Sequence, residues 1–124
     1  MKKTDEMFFT SVGPRENKDG QSFAVSCTSN GVKPIGIIAG RISPSSGICF
    51  IENLQISDPS YQTGETAAAL VQQAINITGM NSVTPVDLWE DEEKWWAYIR
   101  SSGSFSVGET ISSKQMLDSY ASMT

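Results

Sequence analysis

Ile51-Glu52-Asn53-Leu54-Gln55-Ile56-Ser57-Asp58-Pro59-Ser60-Tyr61-Gln62-Thr63-Gly64-Glu65-Thr66-Ala67-Ala68-Ala69-Leu70 is the stretch that decides how this chain is read. It begins inside a strand, Ile48 to Ser57, where the polar Glu52, Asn53 and Gln55 interrupt an apolar run. Asp58-Pro59 breaks that strand, and the period then changes. Ala67, Leu70, Val71, Ala74 and Ile77 or Thr78 mark one helical face, and Gly79 stands where a helix stops. A strand that turns briefly and opens straight into an amphipathic helix points several backbone N–H groups outward at a dipole-positive terminus. Anions bind such a terminus, pyrophosphate included.

Upstream, Met7 to Val12 reads as a short strand, and Gly13 to Gly20 as a polar loop rich in turn formers. Ser22 to Ser29 places Phe23, Val25 and Cys27 on one strand face, and Asn30-Gly31 marks a tight turn into the next strand. Ile35 to Ile42 is apolar on both faces, as in a central strand, and its Gly36 and Gly40 suggest close backbone approach by a neighbour. Pro44-Ser45-Ser46-Gly47 turns the chain. Downstream, Val83 to Trp89 returns to strand character, weakened by Pro85. The acidic run Glu90 to Glu93 enters a helix over Lys94 to Ser101 that ends near Gly103, and this run reads as a solvated helix start rather than a metal site. Ser104 to Val107 adds a strand, and residues 108–124 form a polar tail, flexible or partner-docking, with Met116-Leu117 and Tyr120 as its anchors. The expectation is a single α/β domain over 1–124, a mixed and mostly antiparallel central sheet of about six strands with few helices.

At 124 residues the chain has room for one modest core. Nine Lys and Arg against fourteen Asp and Glu, net charge −5, argue against phosphate-backbone binding, so nucleic acid is not an expected partner. No apolar run suits a membrane helix and the Lys2-Lys3 start leads into Thr4-Asp5-Glu6, which points to a soluble, cytoplasmic protein. Histidine is absent, which excludes Ser-His-Asp and Cys-His catalysis and the usual Cys/His zinc site. Cys27 and Cys49 read as buried thiols in a reducing compartment. Acid–base chemistry is left to Glu, Asp, Tyr, Lys, Cys or water.

The strand–turn–helix resembles the central motif of the GNAT acyl-coenzyme A-dependent acetyltransferase superfamily, Gln/Arg-x-x-Gly-x-Gly/Ala. Gln62-x-x-Glu65-x-Ala67 matches its first and last positions, with Glu65 at the middle Gly and Gly64 one position early. Leu54-Gln55-Ile56 and Asp58-Pro59-Ser60-Tyr61 look like the family's bulged fourth strand and turn, and Trp96-Ala97-Tyr98-Ile99-Arg100-Ser101-Ser102-Gly103-Ser104-Phe105 like its late aromatic helix. The likeness spans about residues 33–107. It implies acetyl-CoA as cosubstrate, held by Leu54, Gln55, Ile56 and by Gln62, Thr63, Gly64, Glu65, Thr66 and Ala67. It implies transfer of an acetyl group to an amine-bearing acceptor, a small molecule or a protein, by direct attack. The two helices the family carries after its first strand have no room here, so the acceptor site stands open or is completed by a second subunit.

Within that resemblance Glu52 is the candidate base, against a plain role at the sheet edge. Tyr98 is the candidate acid, one residue out of the family's register, against simple packing beside Trp95 and Trp96. No metal is expected. A homodimer is expected from the short N-terminus and from Trp89, Trp95 and Trp96 as an aromatic patch. Glu65, together with the lack of Lys or Arg between Arg41 and Lys94, supports a second reading: a catalytically degenerate GNAT-fold module that binds or inhibits without cofactor.

Overall fold

Among the described residues four strands come before the first helix: β1 (Met7–Asn17), β2 (Gly20–Ser29), β3 (Lys33–Ser43) and β4 (Ile48–Ile56), all antiparallel neighbours. Helix α1 (Gly64–Thr78) then returns the chain to β5 (Ser82–Pro85), parallel to β4. Helix α2 (Glu93–Ser102) leads to β6 (Ser106–Val107), parallel to β5, and α3 (Ser113–Met123) follows. Among the described residues the result is an α/β fold with a six-stranded mixed sheet in sequential order and three α-helices. The computed structural model describes residues 7–17, 20–43, 46–88, 90–103 and 105–123. Within them no helix is long and apolar enough to cross a membrane.

The elements follow from local chemistry. Asn30 and Gly31 both adopt positive φ, 53° and 77°, as a tight turn between twisted strands requires. Thr63 caps α1, accepting the Thr66 N–H at 3.2 Å, and Gly79 ends the helix in the left-handed region. The first strand is longer than its sequence suggests. Residues 13–17, expected as loop, continue β1 beyond a register shift between Val12 and Arg15. Gly13 permits this: its φ is +87°, and a Cβ there would lie 2.5 Å from the Ser22 carbonyl oxygen. At the next turn Ser46 and Gly47 both donate to the Ser43 carbonyl, while Pro44 and Ser45 lie outside the described residues.

Helices α1 and α2 cover one face of the sheet. Leu70, Val71 and Ala74 of α1 and Trp95, Trp96 and Ile99 of α2 share a core with Val25, Ile38, Ile42, Cys49, Ile51 and Leu54. Trp95 and Trp96 are thus buried and do not contribute to the exposed aromatic patch expected of them; Trp89 lies outside the described residues. The cysteines belong to this core as free thiols, and burial pushes the Cys49 thiol up to about 12 and raises that of Cys27. Neither is poised as a nucleophile.

The last residues, expected as a tail, form α3 against the opposite face, where Met116 is buried with Phe50 and Val86. Asp87 holds that helix, accepting both the N–H and the hydroxyl of Ser113. The second anchor expected in that tail, Tyr120, has a side chain outside the described residues.

Candidate functional site

Strand β5 accompanies β4 for only four residues, from Ile48 opposite Ser82 to Ile51 opposite Pro85. Val86 donates one last bond to the Ile51 carbonyl at 2.9 Å. Beyond it the chain is drawn away. Ile111 donates to the Pro85 carbonyl, Asp87 donates back to Ile111, and Asp87 turns through a φ of 50°. Among the described residues, 52–56 of β4 therefore have no strand on that side, and a cleft of about 300 Å³ opens there, lined by Leu54, Gln55, Ile56, Gln62, Lys94 and Trp95.

The same strand carries a bulge. Gly40 pairs with Ile51 and Ala39 with Asn53, which leaves Glu52 as the extra residue. Strict alternation would put Glu52 on the face of Leu54 and Ile56; the bulge breaks that phase, and Ile51 joins Leu54 in the core. The Glu52 carboxylate is instead bound by Arg41, whose Nε donates to Oε2 at 3.1 Å. Arg41 lies out of phase with the core residues Ile38 and Ile42.

Two side chains reach the open edge of β4. Glu92 Oε1 accepts the Leu54 N–H at 3.1 Å, and Gln62 Nε2 donates to the Ile56 carbonyl at 2.9 Å. Glu92 ends a 3₁₀ turn, Glu90–Glu92, and is buried, so this member of the acidic run is not a solvated helix start. Its apolar companions could have revealed it in the sequence: Glu92, Trp95, Trp96 and Ile99 recur at helical spacing, placing the carboxylate on the buried stripe. Lys94 lies over the Trp95 ring, 4.4 Å from its centroid, and lines the cleft. A cation therefore stands beside β4 despite the stretch without Lys or Arg in the sequence.

The turn before α1 satisfies most of its own N–H groups. Tyr61 donates to Asp58, Gln62 to Pro59, Thr63 to Tyr61, and Thr66 and Ala67 to Thr63. These bonds leave the N–H groups of Gly64 and Glu65. The space against Gly64 is filled by Tyr98, since a Cβ at Gly64 would lie 2.2 Å from a ring carbon. Tyr98 thus packs on the α1 terminus, at 42% exposure, while Glu52 pairs with Arg41; no bond joins the two. Glu65 is exposed in the first helical turn, where its charge suits the dipole. Among the described residues no cluster of acids and cysteines is placed to hold a metal ion.

Asp58 fixes the start of this turn. Its Oδ1 accepts the Ser60 N–H at 2.9 Å, and Lys33 Nζ stands 3.3 Å from Oδ2. The Ser60 bond first and Lys33 second hold the carboxyl below its ordinary 3.8, against the opposing effect of burial. A carboxyl with a lowered folded-state pKa contributes stability above its unfolded value and loses it as pH falls through the folded one. Melting temperature is therefore expected to fall more steeply below pH 3.8 in the native chain than in Asp58→Asn; parallel acid limbs would show that Asp58 adds nothing.

Comparison of the chain with protein-family models, with curated proteins and with solved structures gave no match.

Proposed function

We propose that this chain is a short GNAT-like acetyltransferase that moves an acetyl group from acetyl-CoA to an amine acceptor, a small molecule or a protein. The observation that carries this reading is the end of β4, where a bulge at Glu52 and the early departure of β5 leave Leu54 to Ile56 as an open strand edge beside the α1 terminus. An open edge offers main-chain donors and acceptors to an extended, amide-bearing chain. Lys94 brings positive charge to the same cleft, and Gln62 lies across it. Held against that edge, the thioester is positioned for attack, and Glu52, or a water it binds, takes the proton from the amine.

The fit is incomplete in the arrangement described. The Leu54 N–H is taken by Glu92, and Tyr98 covers Gly64 where diphosphate would approach. Those contacts favour the second reading, a domain that keeps the scaffold and acts by binding without coenzyme.

Titration with acetyl-CoA separates the two. Saturable binding adds stability by mass action, about 2.7 kcal/mol at a hundredfold excess over Kd. The acetyltransferase reading expects a rise in melting temperature that follows ligand concentration. A folded chain whose melting temperature ignores millimolar acetyl-CoA would leave the binding module standing.

A further inference from the structure

The Glu90–Glu92 turn carries three acids, and Glu92 is buried against a main-chain amide. Burying a carboxyl group is unfavourable unless hydrogen-bond partners replace its water, and one partner here is the Leu54 N–H, on the strand edge that β5 has left. We propose that Glu92 is an autoinhibitory latch: it occupies the Leu54 N–H, holds the wall carrying Lys94 and Trp95 against β4, and must withdraw before an acyl thioester can bond there. This inference rests on the acetyltransferase reading.

The geometry gives the latch a simple action. Leu54 and Ile56 point their backbone groups away from β3, because bonding alternates along an antiparallel strand and Ser57, next after Ile56, donates to the Ile35 carbonyl on the β3 side. Glu92 satisfies a donor of that edge from the α2 side, and Gln62 satisfies an acceptor from the α1 side. A bare strand edge invites pairing with any extended chain, and these two side chains cover it. Gln62 is long, exposed and neutral, so its bond to Ile56 is readily exchanged. Glu92 is buried, so water does not readily take the place of its bond. Only the fraction of molecules with Glu92 withdrawn offers the Leu54 N–H, and the apparent affinity falls by that fraction.

The test uses the full chain, with acetyl-CoA as the probe and amide hydrogen exchange at Leu54 as a readout that needs no coenzyme. In Glu92→Ala the Leu54 amide is expected to exchange faster, and the acetyl-CoA Kd to fall by about tenfold to a hundredfold. Glu92→Gln keeps the shape and an acceptor oxygen but puts an amide in place of the carboxyl group, so it is expected to fall between, and it carries the test if the alanine variant does not fold. Unchanged Leu54 exchange in both variants overturns the latch. Faster exchange with equal acetyl-CoA affinity in variant and native chains also overturns it, while keeping the acetyltransferase reading. Faster exchange with no acetyl-CoA binding by either chain at millimolar ligand overturns the acetyltransferase reading and the latch with it.

Discussion

Gly40→Ala is expected to destabilise the chain by about 3 kcal/mol, the upper end of what overpacking a well-filled core costs. A Cβ at this position would lie 1.8 Å from the Phe50 carbonyl oxygen and 3.2 Å from the Ile51 Cα. Both atoms are backbone of the neighbouring strand, so no side chain can rotate out of the way. The strand itself must move, and it is central: β3 lies between β2 and β4, with Ile38 and Ile42 in the core on either side of Gly40. For a domain whose whole stability is about 5–15 kcal/mol, the melting temperature is expected to drop by roughly 10 °C. The displaced segment is also the bulge that sets the phase of Glu52 and Leu54, so the cleft should lose definition together with stability. Gly79→Ala is the informative companion, because nothing lies within 4 Å of its added Cβ and the strain comes from a φ of +70° alone. If Gly40→Ala cost no more than Gly79→Ala, the close strand approach opposite the bulge would be wrong.

That bulge also marks where sequence stops being sufficient. The α1 stripe of Ala67, Leu70, Val71 and Ala74 and its stop at Gly79 are visible because a helix is a local object, with its period and its cap both written along one segment. The close approaches at Gly36 and Gly40 were legible for a related reason, since glycine inside an apolar strand has few other uses. Pairing is not local. The extra residue at Glu52 exists only relative to β3, so alternation counted along β4 alone assigns it the wrong companions. The same blindness shortened β1, because the continuation past Gly13 depends on the register with β2.

The site shows a second kind of limit. Whether a backbone N–H is free to bind a ligand depends on every acceptor the fold brings near it. Leu54 and Glu92 are 38 positions apart in the chain, and nothing in either neighbourhood announces their bond. Lys94 supplies the opposite case. The absence of basic residues from the motif was correct as a statement about sequence and incorrect as one about space, since the β5 to α2 connection carries Lys94 to the cleft. Tyr98 and Gly64 fall between these cases: the early glycine looked like a misplaced phosphate loop, and its neighbour is an aromatic ring.

Glu52→Gln carries the largest expected effect on activity. On the acetyltransferase reading, removing the base should lower kcat by roughly 10²–10⁴, about 3–5 kcal/mol on the barrier. The amide keeps the shape, so acetyl-CoA affinity should hardly change. Stability should hardly change either, because the Arg41–Glu52 pair is part exposed, with side chains at 24% and 31%, and such pairs contribute about 0–1 kcal/mol. A fall in turnover without a fall in melting temperature is therefore the signature of chemistry rather than scaffolding. The pH profile sharpens it. Where the acceptor amine is already neutral a base has less to do, so the deficit of Glu52→Gln should shrink as pH rises toward the amine's own pKa and beyond. Arg41→Gln supplies the contrast: it removes the same ion pair but keeps the carboxylate, so a base should survive it with most of its turnover, whereas a structural pair should fail equally from either side. Equal losses in Glu52→Gln and Arg41→Gln, constant across pH, would assign Glu52 to the sheet edge and leave proton removal to a water chain or to a group that lines the cleft.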